Sequence, residues 1–421
     1  MPSLPDIFGE YPTDASRALQ RAWDALPTDA QRELIGLLPL LPGNRLASFR
    51  SLLRLTVKQF QMAFGDKRSV AIIGPANVGK STLYNQLIRE RRDEAVVGPV
   101  PGTTRVNQAA DAGLFTVVDT PGADAVGARG AEERAQALDA AQAADFLILM
   151  FDAVQGIKQT EQELFADVGA LDKPYIVVLN KMDLVRRTQK RVIDAAAANL
   201  GLAPEKVLPI EARSGRRLES VLTAIVKAEP ELLAAIGRAL PAYRWQLAWR
   251  NITGAATTAG LIGLTPIPFL DFVPLVGIQA SLVLGIARIY NYRLTPARAK
   301  ELVGTFALGF LGRTLFYELS KFGGPPGWLL AAAIAAATTV VMGYAAIVWF
   351  DRGERLTTQS LKRLTAAMTD YLIDRLKRLG TRKPSKRSLS EELQDALEAS
   401  PLAEDRSALD DQIEDDIDSE V

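Results

Sequence analysis

The sequence predicts an α/β domain, a parallel sheet with helices on both faces, followed by an all-α hydrophobic domain. From Ser69, short β-branched and aliphatic runs alternate with helical stretches, which is typical of a parallel sheet covered by helices. After Pro241 the composition changes, since Asp271 is the only charged residue between Asn251 and Ala287. The predicted buried strands are Val70–Ile73, Phe115–Val118, Phe146–Phe151, Tyr175–Leu179 and Val207–Ile210.

These changes in composition divide the chain into four regions. Residues 1–66 are predicted to be an N-terminal helical region, 67–238 the α/β domain and 239–380 the hydrophobic helical domain. Residues 381–421 are predicted to be an acidic, disordered tail with at most a short helix. We therefore expect one sheet-based domain carrying helical additions on both sides.

The N-terminal region has helical periodicity in three stretches, 13–26, 28–41 and 45–64. Its apolar positions predict a helical layer packed on the α/β domain. The stretch 45–64 has an alternative interpretation, because four cations follow its length and would suit an anionic membrane surface. These cations are Arg45, Arg50, Arg54 and Lys58.

The composition excludes several kinds of chemistry. The 49 Lys and Arg residues equal the 49 Asp and Glu residues, so the chain lacks the overall basic charge of many nucleic-acid binders. Histidine and cysteine are both absent, which excludes imidazole general bases, disulfides and metal sites built from these residues. Residues 352–388 are nevertheless rich in Arg and Lys, and the chain is acidic from Glu391 onward.

A glycine-rich loop follows the first predicted strand. Residues 74–81 read Gly-Pro-Ala-Asn-Val-Gly-Lys-Ser and fit G-x-x-x-x-G-K-[ST] between a strand and a helix. In such a loop, backbone N–H groups bind phosphates, Lys80 would neutralise β- and γ-phosphate oxygens, and Ser81 would ligate Mg²⁺. The predicted phosphate-binding residues are Gly74, Asn77, Val78, Gly79, Lys80, Ser81 and Thr82.

Two further motifs follow in the order expected of a GTP-hydrolysing domain. Asp119 and Gly122 form a D-x-x-G motif, in which Asp119 would hold a Mg²⁺-bound water and the Gly122 N–H would sense the γ-phosphate. Asn180, Lys181 and Asp183 form N-K-x-D. The Asp183 carboxylate can accept from guanine N1–H and the exocyclic amine, a donor pair that adenine lacks. The sequence therefore predicts GTP binding.

Residues 67–238, about two fifths of the chain, resemble the Era- and TrmE-type branch of bacterial GTPases. Residues 101–105, Pro-Gly-Thr-Thr-Arg, resemble its switch I, which implies Thr104 as Mg²⁺ and γ-phosphate ligand, with Thr103 as second choice. Glu-Ala-Arg at 211–213 stands where that family shows Ser-Ala-Lys. This match implies that the Ala212 N–H reaches guanine O6 and that Arg213 also lies at the nucleotide.

The resemblance also bears on the rate of hydrolysis, for which Lys80, Thr104 and Gly122 are the predicted catalytic residues. Ala123 replaces the water-positioning glutamine of Ras-like proteins, so intrinsic hydrolysis is expected to be slow. The resemblance implies a potassium ion at Asn77, which would offset charge between the phosphates. The alternative is that Asn77 only caps the loop.

The hydrophobic domain contains a predicted membrane span at Trp328–Phe350, which carries no charge. A buried core helix is the alternative. In the preceding segment, Pro266 and Pro268 predict a bend in a helical hairpin. This part resembles a domain of YcjF-like bacterial membrane proteins, which implies membrane association; the matching residues are Pro266-Ile267-Pro268, Asp271, Pro274-Leu275-Val276, Gln279 and Ile289-Tyr290. Because GTP is a cytosolic nucleotide and the basic stretch from Arg352 favours the cytoplasmic side, we expect location at the inner membrane with the GTPase domain facing the cytoplasm.

Together these observations predict a membrane-associated bacterial GTPase switch. Its expected cofactors are Mg²⁺ and potentially K⁺, and its expected partners are GTP, GDP and membrane lipid; nucleic acid is not expected, and the sequence identifies no protein partner. Two alternatives stay open. One is a soluble GTPase of ribosome or RNA maturation with a buried helical domain. The other is a dynamin-like GTPase that remodels membranes.

Overall fold

In a computed structural model, the described residues are 13–25, 56–57, 59–63, 67, 69–89, 114–120, 135, 138–264, 272–292 and 326–404. Several sequence predictions fall outside them. These are the helix at 28–41, the bend with Pro266 and Pro268, and the switch residues Thr103, Thr104, Gly122 and Ala123.

The α/β domain contains a five-stranded parallel sheet, as predicted. Its strands are β1 (Val70–Pro75), β2 (Phe115–Thr120), β3 (Phe146–Asp152), β4 (Tyr175–Asn180) and β5 (Val207–Pro209). Their spatial order is β2-β1-β3-β4-β5, so the direction of chain progression reverses at β1. Ligands of open parallel sheets bind at such a switch point, outside the carboxyl ends of the strands.

The helices are numbered in chain order. They are α1 (Thr13–Ala25), α2 (Lys80–Arg89), α3 (Gln159–Gly169), α4 (Gln189–Leu200), α5 (Leu218–Ala228), α6 (Leu233–Ala239), α7 (Arg244–Gly263), α8 (Phe272–Ile289), α9 (Gly327–Arg352), α10 (Thr358–Leu376), α11 (Lys386–Glu398) and α12 (Pro401–Glu404). Helices α3 and α4 cover one face of the sheet, and α2 and α5 cover the other.

The core on the α2 and α5 face continues without a break into the helical domain. It runs from Ile72 and Ile148 of the sheet through Ile225 of α5 and Ile236 of α6 to Ile252 of α7. All five side chains are buried. Because apolar burial is the main stabilising contribution in folding, the two domains are held together by one shared core.

The apolar helix α9 lies inside the helical domain. It packs against α7, α8 and α10, and 89% of its most apolar stretch is buried within the protein. It is long and apolar enough to cross a membrane, and it is the one such helix among the described residues. A core helix of a water-facing bundle has the same length and composition, so α9 alone is weak evidence for a span.

The described part of the predicted helix 45–64 packs in the helical domain, rather than as a layer on the sheet. A Cβ atom at Gly254 of α7 would lie 2.6 Å from Gln59 Nε2, and one at Gly277 of α8 would lie 3.2 Å from Phe60 Cζ. Arg288 of α8 donates a hydrogen bond to the Ala63 carbonyl. The amphipathic pattern was interpreted correctly as burial, but the neighbouring helices were not predicted.

The predicted disordered tail from residue 381 also needs correction, because its first part is helical. Helix α11 buries Leu389, Leu393 and Leu397 in the shared core. Burial is the larger influence on Arg250 of α7 and lowers the pKa of its guanidinium, whereas the charge of Glu398 in α11 raises that pKa. Residues 386–404 therefore belong to the helical domain, and residues 405–421 lie outside the described chain.

Candidate nucleotide-binding site

The predicted nucleotide motifs meet at the carboxyl edge of the sheet. The glycine-rich loop leaves β1, the Asp119 segment ends β2, and Asn180 ends β4. In the register of β1 and β2, Gly74 lies opposite Asp119. The sheet topology thus brings together motifs that are far apart in sequence.

Two glycines of the phosphate-binding loop are required by close approach of other groups. A Cβ atom at Gly74 would lie 2.1 Å from the Met150 carbonyl oxygen. One at Gly79 would lie 2.4 Å from Asn180 Nδ2, and Gly79 also has φ +102°, a conformation that side chains with a Cβ rarely adopt. The loop is therefore fitted to its neighbours at both ends.

Lys80 begins α2 with its ammonium turned back into the loop. Its Nζ donates to the carbonyl oxygens of Gly74 and Pro75, each at 2.6 Å, and the residue is 3% exposed. A buried ammonium needs such acceptors, because desolvation of an unbonded charge is costly. The loop thus holds a positive charge among backbone groups where the motif expects phosphate oxygens.

Asn180 joins the phosphate-binding loop to the last guanine segment. Its Nδ2 donates to the Val78 carbonyl at 2.8 Å, and its Oδ1 accepts from the Ala212 N–H at 2.9 Å. The side chain is 4% exposed. Asn180 was predicted to contact the nucleotide, and the structure adds that both ends of its amide bond to the protein.

The next two residues of the guanine motif present a carboxylate. Lys181 has φ +65° and turns the chain from β4 into a short 3₁₀ helix, Met182–Val185. Asp183 lies in this turn and is half-buried. Among the described residues its carboxylate has no hydrogen bond or ion pair. It is therefore available to donors of a base.

The last guanine segment is a turn built around a buried carboxylate. Glu211, where the family has serine, is 5% exposed and accepts from Ser214 Oγ at 3.0 Å, with Arg216 Nη1 at 3.5 Å. Because the predicted O6 donor, the Ala212 N–H, is bonded to Asn180, the next donor along the turn is the Arg213 N–H. That group has no partner among the described residues.

Three predicted ligands of phosphate or metal lie at the surface of the loop. Asn77, Ser81 and Thr82 are exposed, and within the described chain their side chains bond to no other group. Asn77 has φ +61°, a conformation that asparagine tolerates better than most residues. Mg²⁺ prefers oxygen ligands, so the exposed Ser81 hydroxyl at the start of α2 fits that ion.

The structure also identifies functional-region residues that were not predicted. Asp152 ends β3 with a buried carboxylate that accepts from Lys181 Nζ at 2.7 Å. Glu211 was noted only as a departure from a family pattern. The available signal for Asp152 was its position, since a polar residue directly after a buried parallel strand lies at the binding edge of the sheet.

Comparison with known proteins identifies two families along the chain. The family described as 50S ribosome-binding GTPase matches residues 69–181. A domain of unknown function, DUF697, matches residues 231–317. The fusion of a GTPase domain to a further helical domain, expected from the sequence, is confirmed.

Individual relatives are similar to part of the chain. The GTPase Der of Clostridium botulinum (strain Loch Maree / Type A3) is 34% identical over an alignment of 169 residues that covers 37% of this chain and 38% of that protein. The tRNA modification GTPase MnmE of Synechocystis sp. is 33% identical over an alignment of 229 residues that covers 46% of this chain and 49% of that protein. The chain therefore spans less than half the length of these curated relatives.

Among solved structures, that of Aquifex aeolicus Era bound to GDP and AlF₄⁻ has 26% sequence identity to this chain. The match covers 48% of this chain and 69% of the Era chain. Its TM-score of 0.30 is too low to support an argument about the arrangement of the whole chain. The family match and the two curated relatives nevertheless agree with the motifs and their geometry. We conclude that this chain contains a GTPase domain with homologues among the Der and MnmE GTPases, fused to a domain of unknown function.

Proposed function

We propose that the chain is a regulatory GTPase that binds GTP with Mg²⁺, hydrolyses it to GDP and transmits its nucleotide state to the helical domain. The supporting observation is the Asn180 amide, which bonds to Val78 of the phosphate-binding loop and to Ala212 of the last guanine segment. One rigid group thus sets the spacing between the phosphate and base subsites, as a site for a guanine nucleotide requires.

Specific roles follow for the predicted residues. Lys80 holds positive charge at the β- and γ-phosphates, and Ser81, Thr104 and Asp119 are the proposed holders of Mg²⁺, directly or through water. When bound, Mg²⁺ neutralises charge on the phosphate oxygens. The Gly122 N–H is proposed as the γ-phosphate sensor. Asp183 accepts from the guanine edge, and the backbone of Arg213 or Ala212 donates to O6.

Slow hydrolysis is part of the proposal, because Ala123 offers no amide to orient water. We further propose K⁺ near Asn77, whose exposed side chain is open to a ligand. The competing role is structural, since Asn77 suits the left-handed backbone of the loop. Hydrolysis should be several-fold faster in KCl than in NaCl at equal ionic strength; equal rates would exclude the K⁺ role.

The direct test of GTP hydrolysis uses two lysine variants of the full-length chain. Lys80→Ala should lose at least about 100-fold in the rate of phosphate release, because a positive charge at the transferring phosphate is removed. Lys206→Ala is the control, since Lys206 is exposed and outside the site. If wild-type protein neither binds GDP nor releases phosphate from GTP, the proposed function is wrong.

Transmission to the helical domain is proposed to run through the shared core. Helix α5 packs on β4, and the core continues from α5 into α6 and α7. Lys67 Nζ also bonds to Glu229 Oε2 at 2.6 Å, tying the start of the α/β domain to the end of α5. A displacement of α5 would therefore shift the helices packed against it in the helical domain, because packed interiors transmit strain.

We also propose that the protein associates with the inner membrane and that its GTPase domain faces the cytoplasm. The length and apolar composition of α9 support this proposal. The neighbour α10 argues against spanning. Leu364 of α10 packs beside Tyr344 of α9, and after the end of α10 the Thr381 carbonyl accepts from Trp328 Nε1 at 3.2 Å. The outer face of α10 is charged and would meet lipid. The charged residues of that face are Lys362, Arg363, Asp370 and Asp374.

An alkaline wash of the membrane pellet tests this point. Retention in the pellet would support an integral helical domain, and release would support a peripheral or soluble one.

The soluble alternative is favoured by the burial of α9 and by relatives named for tRNA modification and 50S ribosome binding. Co-sedimentation with ribosomal subunits in GTP but not GDP would support that alternative; GTP-dependent oligomers on liposomes would support the dynamin-like one.

A further inference from the structure

Asp152 is a buried carboxylate at the nucleotide edge that belongs to none of the predicted motifs. It is the last residue of β3 and is 4% exposed. An ionised carboxylate in such a place is costly unless its oxygens are bonded. Its partners therefore show what holds it there.

The two oxygens of Asp152 have separate partners. Oδ1 accepts from the Val154 N–H at 2.8 Å and the Gln155 N–H at 3.4 Å, which closes the turn after β3. Oδ2 lies 2.7 Å from Lys181 Nζ. The first set is local and stabilises a turn. The second joins two strand ends that are 29 positions apart in sequence.

Lys181 has an unfavourable backbone conformation that other contacts must stabilise. It has φ +65°, a left-handed backbone conformation that residues with a Cβ rarely adopt because the Cβ then crowds the backbone. Asp152 and Asn180 are paired in register, and the Ala153 N–H donates to the Asn180 carbonyl at 2.9 Å. The backbone of β3 thus holds the residue before Lys181, and the Asp152 carboxylate holds its side chain.

The consequence concerns Asp183, two residues further on. Its carboxylate is half-buried and has no partner among the described residues. A Lys181 ammonium released from Asp152 would be free to pair with this carboxylate, and opposite charges a few ångströms apart attract even near water. Such a pair would occupy the acceptor that must receive the guanine donors.

We propose that Asp152 is a positioning residue for guanine selectivity: it holds the Lys181 ammonium away from Asp183 and fixes the turn that presents the Asp183 carboxylate to the base. This inference rests on the proposed function, since it concerns the same guanine site. It assigns a role in base selection to a residue outside the N-K-x-D motif.

The test compares GDP with IDP, whose base lacks the exocyclic amine. Asp152→Asn keeps an oxygen that can accept from Val154 and Gln155 but loses the charge that holds Lys181. GDP affinity should fall about tenfold, as expected for loss of a charge-assisted contact, whereas IDP affinity should change by less than about threefold. The GDP-to-IDP preference therefore falls. Fluorescence titration with methylanthraniloyl nucleotides measures both constants.

A matched control and a second variant separate positioning from general stability. Asp374→Asn removes an ion pair of equal length, 2.7 Å to Lys377, on exposed α10 and should leave both affinities unchanged. In a Lys181→Met background, Asp152→Asn should add less than about twofold, because the ammonium is already absent.

Three results are decisive. The inference would be overturned if Asp152→Asn left the ratio of GDP affinity to IDP affinity unchanged, whether neither affinity changed or both fell by the same factor. A full additional tenfold loss in the Lys181→Met background would also overturn it, because Asp152 would then act without Lys181. Absence of GDP binding by the wild-type chain would instead refute the proposed function.

Discussion

The nucleotide edge and the interior of the helical domain differ in whether certain buried polar side chains form hydrogen bonds. At the nucleotide edge, both ends of the Asn180 amide and both oxygens of Asp152 are bonded. Inside the helical domain, Asn251 of α7 is 1% exposed, and neither atom of its amide has a hydrogen-bond partner among the described residues. Within the described part of the chain, the buried hydroxyls of Thr253 and Thr257 on the same helix also have no hydrogen-bond partner.

The helical interior depends instead on close packing of small residues. A Cβ atom at Gly263 of α7 would lie 2.7 Å from the Ala331 carbonyl oxygen, and one at Gly260 would lie 3.4 Å from that of Ala332. These contacts bring the backbones of α7 and α9 together. The comparison teaches that hydrogen bonds position the Asn180 and Asp152 side chains at the nucleotide site, whereas close packing of small residues sets the approach of α7 to α9. Four substitutions test this difference.

The largest effect is expected for Gly79→Ala. The added Cβ would lie 2.4 Å from Asn180 Nδ2 at φ +102°, so the loop and the Asn180 bridge cannot both keep their positions. GDP affinity should fall about 1,000-fold, or about 4 kcal/mol, in a fluorescent nucleotide titration. Gly169→Ala is the control, because its Cβ would meet nothing within 4 Å. A loss below tenfold would mean that the bridge does not constrain the loop.

Asp183→Asn should change which base is bound. The amide presents a donor where the carboxylate accepted, so GDP affinity should fall about 100-fold. Xanthosine diphosphate carries a carbonyl in place of the exocyclic amine and should gain affinity. Competition titrations with both nucleotides measure the exchange. Retention of tight GDP binding would show that another group reads the base.

Gly263→Ala should affect stability without affecting the nucleotide. Its Cβ would clash with the oxygen and carbon of the Ala331 carbonyl, at 2.7 and 3.0 Å, and a backbone group cannot rotate away. The free energy of unfolding should fall by about 2 kcal/mol, with GDP affinity unchanged. Denaturation followed by tryptophan fluorescence measures the loss. Gly327→Ala, which meets nothing within 4 Å, is the control.

The smallest effect is expected for Asn251→Leu, in the opposite direction. Replacing a buried, unbonded amide with an apolar side chain of similar size removes a desolvation cost, so the free energy of unfolding should rise by about 1 kcal/mol. The same denaturation experiment applies. A loss of similar size would show that the amide has an essential partner in solution, and the contrast between the two regions would then be smaller.

The elements with a local signal were predicted well. The strands β1 to β5 begin at the predicted residues, because each is a short apolar run bounded by loop residues. The phosphate-binding loop was recognisable from eight consecutive residues. Helix α1 also begins at the predicted Thr13.

The predictions that failed concern what an apolar face packs against. The residues 56–63 and helix α11 both carry amphipathic patterns, yet the first was assigned to the sheet and the second to a disordered tail. A periodic pattern identifies the buried face but not its neighbour, because many apolar surfaces satisfy it equally. The surroundings of α9 were unpredictable for the same reason, since a membrane and a protein interior both select an apolar helix.

By itself, the sequence determined the α/β fold, the phosphate-binding loop, the guanine motif and the absence of histidine and cysteine chemistry. Only the tertiary structure decided that Asn180 bonds to Val78, 102 positions away, and that Asp152 holds Lys181. It also decided that α9 is covered by neighbouring helices. The physical reason is the range of the interactions: local spacing is written along the chain, whereas these contacts exist only after the strands and helices have packed.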